Sequence, residues 1–247
     1  MKKTKLLALL FLLYFSGIAQ TNLTTLSLPT NKGRYDDIHF VNDSVGWVCG
    51  GQEAGRVAKI YNTRDGGQTW KEQFAVPKYL RSIEFATERI GFCGSLDSTL
   101  FKTTDGGQTW TDITYLIPKR PRGICGLAIP DPHTIYGVGK YSSPAFVIKS
   151  LDGGLTWSYI DMSGLAKGLV DVFFFNKDEG FVTGIGYTGG VVLYTSDGGK
   201  NWEYKFKTDV IGDYVWKIQS PDNINFYASI DEEPFNTNSR FLKSTDR

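Results

Sequence analysis

The chain has 247 residues, 41% hydrophobic, 21% charged and 14% aromatic, with 28 glycines and two methionines, a composition that excludes disorder and collagen. Its 27 basic residues against 26 acidic ones leave a formal charge of +1, far from the basic excess of a nucleic-acid binder. A general phosphate-binding role loses its support.

At the start of the chain, Lys2, Lys3 and Lys5 precede an apolar run from Leu6 to Phe15, and Gly17-Ile18-Ala19 offers small residues for cleavage before Gln20. Residues 1–19 are predicted to be a secretory signal peptide, so the protein is expected to be exported to the periplasm, the cell surface or the medium. The run is shorter than the roughly 18 residues of a membrane span, no later segment approaches that length, and no cysteine follows it to carry a lipid. No membrane span is expected. Without the three leader lysines, acidic residues outnumber basic ones by two. Residues 20–34 then form an N-terminal segment in which LTTLSLP, ending at Pro29, is a candidate closing strand.

The three cysteines, Cys49, Cys93 and Cys125, sit in the apolar, glycine-flanked stretches WVCGG, GFCGS and GICGL. They read as small buried hydrophobes, with a Cys49 to Cys93 bridge as the alternative. None has metal-site spacing, and His39 and His133 are remote from any cysteine pair. No metal and no cofactor is expected.

A repeat organises the rest. The octet TRDGGQTW, from Thr63 to Trp70, returns as TTDGGQTW from Thr103 to Trp110, SLDGGLTW from Ser150 to Trp157 and TSDGGKNW from Thr195 to Trp202. A fifth copy starts at Ser244-Thr245-Asp246 and stops at Arg247. Successive octet aspartates, from Asp65 through Asp105, Asp152 and Asp197 to Asp246, lie 40, 47, 45 and 49 residues apart, the length of one four-stranded unit. Before each octet an alternating apolar strand (Ile38 to Phe40, Ile83 to Phe85, Leu127 to Ile129, Val172 to Phe174) leads through a polar turn to an aromatic at Trp47, Phe92, Tyr136 or Phe181. A third strand runs into the octet, and a fourth starts at its tryptophan. Four antiparallel strands per repeat and no helical period predict an all-β propeller.

The octet has a mechanical reading. Its carboxylate accepts backbone N–H bonds within its own turn, its glycines take positive φ, and its hydroxyl supports the same turn. The pattern S/T-x-D-x-G-x-x-W resembles the Asp-box, or bacterial-neuraminidase repeat, of sialidases, sortilins, xyloglucanases and photosystem II assembly-factor-like propellers. The resemblance is closest to the assembly-factor-like group, whose blade consensus is similar to the DGG-x-T-W octet, the I-x-F strand and the G-aromatic pair repeated over residues 35–247. It implies that Asp65, Trp70, Asp105, Trp110, Asp152, Trp157, Asp197 and Trp202 are structural staples on the face opposite the ligand. It does not imply a photosystem partner.

The predicted domain layout is a propeller over 35–247, with blades at about 35–78, 79–121, 122–167, 168–212 and a partial 213–247. The half-octet at Asp246 favours a chain truncated from about seven blades; five blades closed by the N-terminal strand is the alternative. On the face away from the octets, Arg34, Lys78, Arg81, Lys119, Arg120, Arg122 and Lys167 lie in the connections between repeats, with Tyr35, Tyr79 and Tyr115 among them. Together with Tyr187 they form the candidate binding surface, suited to an acidic peptide or a C-terminal carboxylate. Acidic residues break the ring at Asp209 and Asp213. The second-to-third loops mix signs, with Glu53, Arg56, Asp97, Lys140, Tyr141, Asp231, Glu232 and Glu233, which suits a protein partner better than a polyanion.

Enzymatic readings fare less well. The sialidase arginine triad, tyrosine nucleophile and Arg-Ile-Pro-like motif have no counterpart. Glycoside hydrolysis needs two carboxyl groups at matched separation, and no spacing selects a pair from Asp36, Asp37, Asp97, Asp171 and Asp213. The stretch from Gly184 to Gly189 satisfies G-x-G-x-x-G, but a strand follows it where a dinucleotide fingerprint needs a helix. His39 reads as a strand residue facing its neighbour. The expected function is therefore a non-catalytic, exported scaffold for a protein or peptide, with a carbohydrate-active enzyme or glycan-binding module as the alternative.

Overall fold

The structure is a computed structural model and describes residues 25–29, 34–50, 57–142, 144–232 and 239–245. The expected leader, Glu53, Arg56, Glu233 and the octet at Asp246 lie outside them. Alternating apolar segments form strands where the repeat places them. The first blade comprises β1 (Asp37–Phe40), β2 (Gly46–Gly50), β3 (Ala58–Thr63) and β4 (Lys71–Val76), and the second comprises β5 (Leu80–Phe85), β6 (Gly91–Ser95), β7 (Leu100–Thr103) and β8 (Thr111–Asp112). The third has β9 (Gly126–Asp131), β10 (Thr134–Gly139), β11 (Phe146–Ser150) and β12 (Ser158–Asp161), and the fourth has β13 (Gly168–Phe174), β14 (Gly180–Ile185), β15 (Gly190–Thr195) and β16 (Glu203–Lys207). The fifth has three described strands, β17 (Asp213–Gln219), β18 (Phe226–Glu232) and β19 (Arg240–Ser244). Every sheet is antiparallel with neighbouring strands consecutive in sequence, as in a β-propeller with a partial last blade.

The octet turn accounts for its own sequence. Thr63 Oγ1 donates to Asp65 Oδ1 (2.8 Å) and accepts from the Gly67 amide (2.8 Å). Asp65 also accepts from the Thr69 amide (2.9 Å) and hydroxyl (2.6 Å). The same bonds recur around Asp105 and Asp152, and Asn201 replaces the last threonine at Asp197. Both octet glycines hold positive φ in all four copies, for example 75° at Gly106 and 87° at Gly107, so a side chain there would strain the backbone. The first glycine amide bonds the first-to-second turn of its own blade, at Ser44, Arg89, His133 and Asp178. This puts the octets and those turns on one face.

The octet also grips the preceding blade. The Gly106 carbonyl accepts from Trp47 Nε1 (3.2 Å) and Gln73 Nε2 (3.0 Å), the Gly153 carbonyl from Lys102 Nζ (2.7 Å), and the Gly198 carbonyl from Lys149 Nζ (2.9 Å). Lys102 and Lys149 lie over the Phe92 and Tyr136 rings, so aromatic faces hold the cations that cap the octets. Trp47 stacks on Phe85 at 3.5 Å and Tyr136 on Phe174 at 3.6 Å, each pair joining successive blades. The apolar cores accordingly lie between blades, and Trp110, Trp157 and Trp202 each belong to one. Cys49, Cys93 and Cys125 are buried free thiols.

Residues 25–29 are not in a strand. A Cβ on Gly67 would lie 2.9 Å from Leu26 Cδ1, as one on Gly107 would meet Gln73 and one on Gly199 would meet Ile160. Leu26 thus stands against the first octet where outer-strand residues of a preceding blade stand against the second and fourth. The inner strands pack in succession from β1 through β5, β9 and β13 to β17, and among the described residues β17 makes no contact of similar extent with β1.

Trp157→Ala is expected to lower stability by about 3–5 kcal/mol, the usual cost of emptying a buried aromatic site, measured by urea unfolding. The Thr109 hydroxyl, above all, together with its amide holds the Asp105 carboxyl down at about 2, so its stabilisation is present above pH 4 and disappears as pH falls toward 2. Thr109→Val should move the acid-unfolding midpoint to higher pH; an unmoved midpoint would contradict this role.

Candidate functional site

The inner strands share a local irregularity that builds the site. The register slips at Arg81 in β5, Val170 in β13 and Trp216 in β17, where one extra residue leaves the ladder. Asp36 and Cys125, whose amides bond Cys49 and Val138 just ahead of β1 and β9, are their counterparts. A bulge of this kind re-aims a side chain that strict alternation would send elsewhere. These five residues surround the channel, and of the residues that follow them Asp37, Gly126, Asp171 and Lys217 line it as the next tier.

Two connected spaces result. At the mouth, a cavity of about 670 Å³ is lined by Arg34, Tyr79, Arg81, Leu96, Cys125, Tyr141, Val170, Trp216 and Asp231. Beneath it, one of about 230 Å³ is lined by Asp36, Asp37, Glu84, Asp171 and Lys217 with the same Arg81, Cys125, Val170 and Trp216. The mouth opens between the second-to-third loops and the connections between blades, the face away from the octets. Asp36 has a buried side chain bonded by Arg34 at 2.7 Å and flanked by Arg81 at 4.0 Å. Trp216 stacks on Tyr214 at 4.8 Å, and Asp97 accepts from the Tyr79 amide, which fixes that connection.

Of the residues expected to bind, Arg34, Tyr79 and Arg81 converge on the mouth. Tyr35 turns away, donating to the Pro29 carbonyl at 2.5 Å and packing edge-on against Tyr61. Lys78 and Lys167 do not line the mouth; Lys78 is partly buried and Lys167 is exposed. Arg120 and Tyr115 line a separate surface recess of about 540 Å³, Lys119 pairs with Asp161 at 3.5 Å, and Arg122 is exposed. Tyr187 is exposed and donates to the Ser163 carbonyl at 2.5 Å. The candidate carboxylates are engaged in structural bonds: Asp171 with Lys217, Asp213 with Arg240, and Asp37 with the Ile83 amide. The Gly184 to Gly189 stretch joins two strands, with a Gly186 to Gly189 backbone bond. Trp216 was not singled out in the sequence; its only signal is the break in alternation in DYVWKIQ.

A family model described as photosynthesis system II assembly factor YCF48 matches residues 16–131, a little under half of the chain. Among solved structures, YCF48 from Cyanidioschyzon merolae is 19% identical, with 88% of this chain and 73% of that one aligned at a TM-score of 0.60. The GH74 xyloglucanase from Xanthomonas campestris is 14% identical at a TM-score of 0.64, covering 86% of this chain and 37% of that one. The Niastella koreensis GH74 enzyme is 19% identical at 0.60, covering 79% and 33%. No curated protein matches the chain. The chain has a β-propeller fold, and over residues 16–131 it is similar to the YCF48 family model.

In this propeller the channel charges oppose one another. Burial pushes the Asp37 carboxyl up to about 6, against the Ile83 amide bond and the Lys217 charge that favour ionisation. Burial also raises Asp171, with Lys217 partly offsetting it. For His39 burial works downward, but the Glu84 bond (2.6 Å) and the charges of Glu84 and Asp37 outweigh it, so its pKa is raised. A raised carboxyl means that the folded state binds the extra proton, so stability falls as pH rises from about 4 to 6. Asp37→Asn should therefore raise stability by ~1–2 kcal/mol at pH 7.5 and leave it unchanged at pH 4. Thermal melts across pH test this; equal effects at both pH values would contradict it.

Proposed function

We propose that this propeller is an exported, non-catalytic scaffold that binds a protein or peptide at the mouth of its channel and reads an acidic side chain or a C-terminal carboxylate there. One observation carries the reading: Arg34 and Arg81 meet Tyr79, Tyr141 and Trp216 around a single cavity. Guanidinium groups pair with carboxylates through two parallel N–H bonds, and rigid aromatics supply contact area at little entropic cost. The description of the matching family as an assembly factor supports a protein partner. The leader-like start of the sequence supports export. Among the described residues no helix is long and apolar enough to cross a membrane.

A glycan ligand is the second reading. The Tyr214–Trp216 stack beside Tyr141 offers flat apolar faces, and the fold is shared with xyloglucanases, although the chain spans only about a third of their length.

Fluorescent peptides of acidic sequence, made with a free α-carboxylate or as the amide, test the first reading by anisotropy. Saturable binding of the free-acid form is expected, weakened at least tenfold by Arg81→Ala or Trp216→Ala. Turnover of xyloglucan or other polysaccharides by the purified protein would refute a binding-only role.

A further inference from the structure

Two thiols meet in the core between blades 1 and 2. Cys49 follows Trp47 by two residues in β2 and Cys93 follows Phe92 in β6, and both cysteines are fully buried with Trp47, Ile83, Phe85 and Phe101. Phe92 packs instead into the core shared with blade 3, so strand alternation aims Cys93 back at blade 1. Register sets the two cysteines at one height. Asp37 pairs with Cys49 and Ile83 with Cys93, and the Asp37 carboxylate accepts from the Ile83 amide at 2.8 Å, which ties the two pairs together across the junction. The Cys93 side chain is accordingly in hydrogen-bond contact with the Cys49 thiol.

The repeat supplies an internal comparison. Val138, two residues after Tyr136, and Val182, directly after Phe181, hold the corresponding places at the junction of blades 3 and 4 and pack in one core. These are positions whose side chains face each other between blades, the arrangement that a disulfide requires. Cys125 has no such counterpart: it lines the channel mouth beside Arg81 and Tyr141.

We propose that Cys49 and Cys93 form a disulfide that fastens blade 1 to blade 2 when the chain folds in an oxidising medium, and that Cys125 stays a thiol. With oxidised glutathione as the oxidant, one cysteine thiolate attacks its S–S bond and releases one glutathione. The second thiolate attacks the resulting mixed disulfide, closes the bond between Cys49 and Cys93 and releases the other. Two electrons pass from the cysteines to glutathione, and the released glutathione thiolates take up the two protons. Burial pushes the Cys49 thiol well above its ordinary range, so the exchange belongs to folding, before the core closes. The Cys49 carbonyl accepts from the Asp36 amide at 2.9 Å, and the bridge therefore also anchors the residue that bonds Arg34. It is independent of what the channel binds.

The full chain, unfolded and reduced, is refolded either with reduced and oxidised glutathione or with dithiothreitol, then denatured and alkylated with iodoacetamide for mass spectrometry. After oxidative refolding, alkylation is expected at Cys125 alone, with a cross-linked peptide joining Cys49 and Cys93; after refolding with dithiothreitol all three cysteines should be alkylated. The oxidised form should melt roughly 5–15 °C above the reduced one. Cys93→Val, which places at this junction the residue found at Val182, should fold and melt at the same temperature in both buffers. The same alkylation on protein secreted by a bacterial host requires no refolding and should agree. Three alkylated cysteines in oxidatively folded protein, a bridge or glutathione adduct involving Cys125, or equal melting temperatures for the two forms would overturn the proposal.

Discussion

The carbonyl of the first octet glycine sets the geometry of this molecule. Two successive glycines at positive φ turn that carbonyl away from its own blade, and the preceding blade supplies the donor, from Trp47 and Gln73 at Gly106, Lys102 at Gly153 and Lys149 at Gly198. Without those donors, each carbonyl would sit in a packed junction at the cost of an unsatisfied polar group. A blade therefore docks in one orientation on its neighbour. The aromatic stacks of Trp47 on Phe85 and of Tyr136 on Phe174 add apolar area in the same place. Once that orientation repeats, the inner strands face a common axis and the loops away from the octets surround its opening.

In this division of labour the octet carboxylates are engaged in holding their own turns. Each is consumed by bonds inside its own turn, so Asp65, Asp105, Asp152 and Asp197 are all held ionised by local donors. The opposite face is under no comparable constraint. Its residues vary from blade to blade, with Asp36, Arg81, Cys125, Val170 and Trp216 at five equivalent positions. A rigid repeat with one variable position per blade places a different side chain from each blade around the channel.

The repeat was legible in the sequence because a turn that needs Asp, two glycines and Trp leaves a mark that no other local structure imitates. The strands followed from alternation, and the two faces followed from the antiparallel topology. The site was only partly legible. Arg34, Tyr79 and Arg81 line the mouth and were visible as residues just ahead of, or at the start of, inner strands. Arg120 and Lys167 have similar sequence positions but sit on longer connections that carry them outward. Trp216 was invisible because the bulge that re-aims it depends on backbone hydrogen bonds with β18, not on residue type.

The channel and the octets draw stability from opposite ends of the acidic range. The octet carboxylates, held low by their own turns, contribute fully above pH 4 and lose that contribution below it. Asp37 and Asp171, raised by burial, oppose folding more as they ionise above pH 4. The His39–Glu84 pair adds to the second trend, because a raised histidine stabilises the fold below about pH 6.5 and less as pH climbs through its folded value. The two sets meet in mildly acidic solution, where the octets are intact and the channel is least charged. Above that range Asp37 and Asp171 are charged in a space that Arg81 and Lys217 also line, and Arg34 lies at the rim, bonded to Asp36. The arginines of the mouth are positioned by Asp36, which bonds Arg34 and flanks Arg81, whereas the stability lost as pH rises belongs to Asp37 and Asp171 one tier below, which bond the Ile83 amide and Lys217 instead.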